Sequence, residues 1–351
     1  MYDQRTTSRR RFLGTAAGAT GVALAASAWK PAQAAAAIPD TGRGTQSPLD
    51  RRTTFRSGVF QLNLEGINAG ILKSEDGGDA YAEVISVRPG GTSTFASKSI
   101  SNFKYDRFDV QLGFGMNKAM YDWISASWKM QTDGKDGSIV TADSSSQALS
   151  ERKFFDALIT ETGIPACDGS SKEAAYLTLQ FAPEYTQDQK ASGAIAASKQ
   201  QKAWLSSNFK LEIDGIDTSR VAKVDAFTIK QSIITSEIGD TRLATREPAN
   251  LEFPNLKITI GQASVSSWAT WFDNFVIKGN NSSDYEKSGR LVFLSADLKT
   301  ELAEIRLFNV GIYRLDPDQE DPSSADKIAR FTAELYVERM EFNCPPAPVI
   351  T

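Results

Sequence analysis

The run Asp316-Pro317-Asp318-Gln319-Glu320-Asp321 sets carboxylates at the alternate positions that open a calcium-binding loop. Such a loop also needs Gly at its sixth position and Glu at its twelfth. Those positions hold Asp321 and Lys327, so the stretch reads as a solvated acidic turn. Asp133-Gly134-Lys135-Asp136-Gly137 is too short for a cation cage and also reads as a turn. Ser207 and Lys210 have the Ser-x-x-Lys spacing that brings the two groups together on a helix. Here the surrounding run alternates as a strand and puts them on opposite sides. The chain has 0 histidines, which removes Ser-His-Asp and Cys-His catalysis and the commonest metal ligand. Two cysteines, Cys167 and Cys344, cannot build a zinc site by themselves; in an exported protein they could form one disulfide, or stand as separate thiols. No nucleophile elbow, Walker loop or dinucleotide fingerprint occurs. A carboxylate pair for glycoside hydrolysis stays open, because its separation is invisible in sequence. At the residue scale, then, the sequence offers no specific catalytic residue, metal ligand or cofactor site.

The elements that would carry any site are written twice. Phe60-Gln61-Leu62-Asn63-Leu64-Glu65-Gly66-Ile67 recurs as Phe209-Lys210-Leu211-Glu212-Ile213-Asp214-Gly215-Ile216. Phe103, Tyr105, Phe108, Val110, Leu112 and Gly113 recur in order as Leu251, Phe253, Leu256, Ile258, Ile260 and Gly261. Trp123 and Trp271 each follow those glycines by the same interval. Phe155-Asp156-Ala157 with Ser170-Ser171 matches Phe308-Asn309-Val310 with Ser323-Ser324. The offset drifts from 149 and 148 to 153, the mark of a duplication with small later insertions. The repeat exceeds any solenoid unit, so it implies two tandem domains.

Period-two alternation makes strands of Val59 to Leu64, Phe103 to Leu112, Ala175 to Phe181 and Phe209 to Ile213. Met116, Met120, Trp123, Ile124 and Trp128 fall at helical spacing with Asn117 as N-cap, and a second helix is expected over Val265 to Phe275. Arg152 to Thr162 fits helix and strand templates alike. Ser74 to Asp79 reads as a loop, and the Gly-rich segments 74–79 and 88–93 as arms or as plain hairpin ends. The tryptophans lie on apolar helix faces, which favours core packing over a sugar-binding surface. The fold class is mainly β: two tandem antiparallel β-sandwich or barrel domains, each with one packed helix. The expected boundaries are a disordered leader over 35–54, domain 1 over 55–186, a polar linker over 187–204 and domain 2 over 205–344.

Length and composition agree: 351 residues with 41% hydrophobic and 23% charged residues suit a globular chain of two domains. The start differs. Ser8-Arg9-Arg10-Arg11-Phe12-Leu13 is a twin-arginine motif, followed by a weakly apolar stretch and by Ala32-Gln33-Ala34, a small-x-small cleavage site. Residues 1–34 therefore resemble a Tat export signal with Arg9 and Arg10 as its motif, and place the mature chain in the periplasm or outside the cell. That segment carries +4; taking it from the overall −4 leaves −8, too acidic to coat nucleic acid. No other apolar run is long enough for stable membrane insertion.

The order is a strand ending in Gly, a long loop, an alternating strand ending in Gly, a tryptophan-bearing helix, and a hairpin with a Ser-Ser corner. It resembles the tail tube proteins of contractile-tailed bacteriophages and related injection systems. In the first copy the resemblance rests on Phe60 to Gly66, Tyr105 to Gly113 with Tyr121-Asp122-Trp123, and Lys153 to Ala157 through Asp168 to Ser171. In the second it rests on Phe209 to Gly215, Phe253 to Gly261 with Trp271-Phe272, and Arg306 to Asn309 through Ser323-Ser324. The resemblance implies a structural, non-enzymatic subunit whose rings stack into a hollow tube. Family members usually carry one such domain, so three of these chains would form a pseudo-six-fold ring. The other readings are a monomeric exported β-sandwich binding module, for carbohydrate or another surface ligand, and a carboxylate-based hydrolase.

Overall fold

The computed structural model describes residues 58–88, 95–131, 133–195, 204–236, 245–318 and 329–344. Arg9, Arg10 and the leader lie outside them, as do Asp321, Ser323 and Ser324. The first half runs β1 (Val59–Leu64), β2 (Ile67–Gly77), β3 (Ala80–Val87), β4 (Ser97–Tyr105), β5 (Phe108–Leu112), α1 (Lys118–Trp128), β6 (Lys135–Ala142), β7 (Ala148–Ile164), β8 (Cys167–Asp168), β9 (Ala174–Ala175), β10 (Leu177–Ala182) and β11 (Tyr185–Lys190). The second runs β12 (Trp204–Leu205), β13 (Phe209–Ile213), β14 (Val221–Val224), β15 (Phe227–Ser236), β16 (Thr245–Glu252), β17 (Leu256–Gly261), α2 (Val265–Phe272), β18 (Lys287–Leu294), β19 (Glu301–Pro317) and β20 (Arg330–Asn343).

The chain is mainly β, with two barrel-like sheets and one helix against each, as the alternation implied. In the first sheet β10-β5-β2-β1-β6-β7 lie side by side and β10 also pairs with β7, closing an antiparallel barrel in which β7 extends past both β6 and β10. The second sheet runs β14-β17-β20-β19-β18-β13, the same order element for element, but β14 pairs with β8 and not with β13.

Register repeats too. Gln180 faces Glu161 and Phe181 faces Ile159, skipping Thr160; Glu334 faces Arg314 and Leu335 faces Ile312, skipping Tyr313. The β2–β5 pair skips Lys73 where β14–β17 skips Ala222. Bulges fix register by leaving one residue unpaired, so matched bulges imply matched backbone paths. Asp156 and Asn309, equivalent in sequence, both sit in the left-handed region, at φ 47 and 54. After glycine, Asn and Asp are the residues that tolerate it best.

Both sheets draw strands from both halves. Hairpin β15–β16 extends the first sheet through β15 on β7, while β8 extends the second through β14. A connected apolar core spans the two halves within the unit Phe55–Thr351. Helix α1 is the wedge between them. Asn117 caps it, its Oδ1 accepting from Lys118 N at 2.5 Å. Trp123 and Ile124 bury toward the first barrel, where Trp123 meets Phe181 at 5.4 Å. On the other side Tyr121 stacks on Phe342 at 5.5 Å, and Trp128 meets Phe342 and Phe253. Phe114 stacks on Phe293 at 4.4 Å. Buried Ser127 Oγ donates to Gln231 Oε1 at 2.5 Å across the same boundary.

Sequence expectations change at several places. The run Phe103 to Leu112 is two strands, β4 and β5, parted at Asp106 and Arg107, and residues 135–137, read as part of a turn, already pair in β6. Helix α2 ends at Phe272 and passes into a π turn over Asp273–Ile277, which turns Phe275 inward and leaves Ile277 exposed. Residues 74–77 continue strand β2, because β5 is long enough to pair with them. Residues 187–190 are the end of β11, a polar strand whose partner is β7.

Candidate interaction surface

Strand β7 shows how one half receives the other. Its first part pairs with β6 from Ala148 to Ala157. Beyond the reach of β6, hairpin β15–β16 takes over, with Phe227 facing Ile164, Thr228 facing Gly163, Ile229 facing Thr162 and Lys230 facing Glu161. Phe227, Ile229 and Gln231 are buried as a result. Arg246 on β16 pins the far strand, its backbone N donating to Glu184 Oε1 at 3.2 Å and its guanidinium bonding to Pro183 O.

The equivalent hairpin of the first half, β3–β4, forms a separate two-stranded sheet. Its irregularity is the same: Ala82 faces Phe103 and Val84 faces Ile100, as Gln231 faces Leu251 and Ile233 faces Pro248. Its surroundings are not. All eight residues of β3 are exposed. Val84 at 63% and Ile100 at 74% exposure are cross-strand partners on one face of the ribbon, and Ile85 and Val87 are exposed on the other. Ribbons of that size have little stability alone, and contiguous exposed apolar surface marks a contact site. The base of the hairpin is anchored. Arg152 donates to Gly77 O at 2.5 Å, to Asp79 Oδ1 at 2.9 Å and to Asp188 Oδ1 at 2.8 Å. Glu75 lies close by, and burial raises its carboxyl above the usual range against the pull of Arg152.

The equivalent of β7 is β19. Strand β18 covers it from Glu301 to Val310 and β20 covers its other edge to Pro317. Among the described residues no second strand pairs with Arg314, Leu315, Asp316 or Pro317, the positions equivalent to those that β15 meets on β7. Among the described residues, then, the β3–β4 ribbon joins no larger sheet, and residues 314–317 of β19 are paired along one edge only.

The residues first considered for chemistry stand apart from this surface or from one another. Cys167 and Cys344 are free thiols, the first buried in β8, the second exposed at the end of β20, so the disulfide weighed from sequence is not formed in this structure. Burial raises the Cys167 thiol far above its ordinary value and leaves it unreactive. Ser207 Oγ lies 3.3 Å from Asn208 Oδ1, and Lys210 Nζ pairs with Glu212 at 2.5 Å. Asp316 belongs to β19, and no group of His, Cys, Asp and Glu fit for a metal ion occurs among the described residues. Trp123, Trp128, Trp268 and Trp271 are all buried. No helix of the described residues is long and apolar enough to cross a membrane. The exposed hairpin itself carried a sequence signal, alternating apolar residues on both faces over Tyr81 to Val87, but nothing there says what covers it.

Residues 56–187 match the family model of the T4-like virus tail tube protein gp19. No curated protein matches the chain. Among solved structures, the chain is similar to one from the cap of the anti-feeding prophage, at 14% identity over 43% of this chain and 96% of that one, with a TM-score of 0.33. It is similar to one from the sheath/tube terminator of the extracellular contractile injection system PVC, at 17% identity over 39% and 93%, with a TM-score of 0.33. It is also similar to Hcp1 from Flavobacterium johnsoniae, at 10% identity over 39% and 94%, with a TM-score of 0.24.

Proposed function

We propose that this chain is a non-enzymatic structural subunit with two tail-tube-like modules, that it is exported by the twin-arginine route, and that it associates with its own copies into rings and tubes. The observation that carries the reading is the tail tube match over 56–187. The second half repeats the strand order and the bulges of that matched half, which supports a tandem duplication with modules near 55–186 and 205–344. Three chains then supply six modules, a pseudo-six-fold ring. Partners are other copies of the chain, without specific nucleic acid, cofactor or metal. The helix tryptophans are buried and so are not a platform on which a sugar-binding module could stack its ligand.

Light scattering on the processed chain tests this, with negative-stain microscopy alongside. The expected result is a mass of three chains or a multiple and annular or tubular particles. A monomer at every concentration tested overturns the reading.

A further inference from the structure

We propose that the association surface is a copy, between chains, of the junction already present within the chain: hairpin β3–β4 of one molecule adds to the free edge of β19 in a second. The inference rests on the reading of a self-associating subunit and specifies the edges and their register. Its basis is the matched geometry on each side. Hairpins β3–β4 and β15–β16 share one bulge pattern, and so do the receiving strands β7 and β19. In the first module the receiving edge is filled by β15; in the second no strand of the described residues fills it. Equivalent positions then pair Asp79 with Asp316, Ala80 with Leu315 and Tyr81 with Arg314 of the second molecule.

Chemistry at these positions is compatible. Tyr81 is 44% exposed and meets a guanidinium that can lie over its ring. The two carboxylates that face each other each have a guanidinium partner, Asp79 in Arg152 at 2.9 Å, which also pairs with Asp188, and Asp316 in Arg314. Pro317 lacks an N–H but falls at the last position of the pairing, where a missing donor is tolerated. The acceptor backbone gains hydrogen-bond partners, and the exposed ribbon gains a sheet. Donor and acceptor lie on different modules, so the contact is head-to-tail. Such contacts close into rings or extend into filaments.

Cysteine cross-linking tests the register. In a Cys344→Ser background, one variant carries Ala80→Cys with Leu315→Cys and another Tyr81→Cys with Arg314→Cys. Directly opposed antiparallel residues alternate between wide and narrow pairs, so one of the two sites has the closer geometry that a disulfide needs. The expected result is oxidised dimers and trimers in at least one variant. With the Ala80→Cys chain and the Leu315→Cys chain each made singly, dimer appears only on mixing. Hydrogen exchange on the unaltered protein gives a second readout: amides of residues 314–317 should exchange at least about tenfold slower in the assembly than in dilute monomer. Assembled particles with neither cross-link nor added protection overturn this register and leave the proposed function standing. Failure of the unaltered chain to assemble overturns both.

Discussion

Gly137 and Gly289 occupy equivalent places in β6 and β18, and each is required by a close approach. A Cβ on Gly137 would stand 2.3 Å from Phe154 Cζ and 2.4 Å from Asn63 O; one on Gly289 would stand 2.5 Å from Glu212 O. Backbone cannot yield cheaply, so Gly137→Ala and Gly289→Ala should each cost about 1–3 kcal/mol in chemical denaturation. Asp297 supplies a pH-dependent case. Its Oδ2 accepts from Thr300 Oγ1 at 2.6 Å and its Oδ1 from the backbone of Lys299 and Thr300 at 2.9 Å. These bonds hold its carboxyl at about 2, against about 3.9 for a free Asp. A depressed carboxylate stabilises the fold above the unfolded value, and that contribution is lost as pH falls through the folded value. Asp297→Ala should lower Tm at pH 6, with the gap to the unaltered protein closing between about pH 4 and pH 2 in a thermal melt series. At this scale the sequence is a good guide to what is absent, since a chain without imidazole has few catalytic options. It is a poor guide to closeness: nothing in the letters around Cys167 or Gly137 tells which backbone passes nearby.

Single elements were legible where one face is buried. The alternation of β5 and the helical spacing of α1 are direct images of the core, since Phe108, Val110 and Leu112 are buried and Asp109 and Gln111 are not. Asn117 was readable as a cap because its side chain satisfies an amide that the helix leaves open. Asn117→Ala should cost about 1 kcal/mol, read as a shift in the denaturation midpoint at unchanged slope. The π turn after α2 was not readable, because its cause is the packing of Phe275 against Trp271 and Tyr336 and no local propensity marks it. Nor was the destination of hairpin β15–β16. Strand pairing is made by backbone groups common to all residues, and the apolar pattern of β15 would look the same on any neighbour.

For the whole molecule, the repeat in sequence announces two modules, while the pairings tie them together. β15 sits on β7, β8 sits on β14, and α1 packs on β20. Tyr121 Oη donates to Phe114 O at 2.8 Å and also lies 3.1 Å from Leu302 O, one side chain serving both halves. A core shared in this way couples the unfolding of the two halves. Calorimetry of the processed chain should give one transition, with calorimetric and van't Hoff enthalpies equal; two separated transitions would show the halves to be independent. The repeat was legible because it lies along the chain. The exchange of strands was not, because it depends on contacts between residues far apart.

That exchange sets a schedule for synthesis. When Ile164 leaves the ribosome, the stretch of β7 that ends there has no neighbour on one side until Phe227 to Lys230 have also emerged. The nascent first half waits through that interval with a bare β border, the state most open to mispairing with another nascent copy. Slower translation before residue 227 lengthens that exposure, and a chaperone that shields strand borders is most useful in the same window.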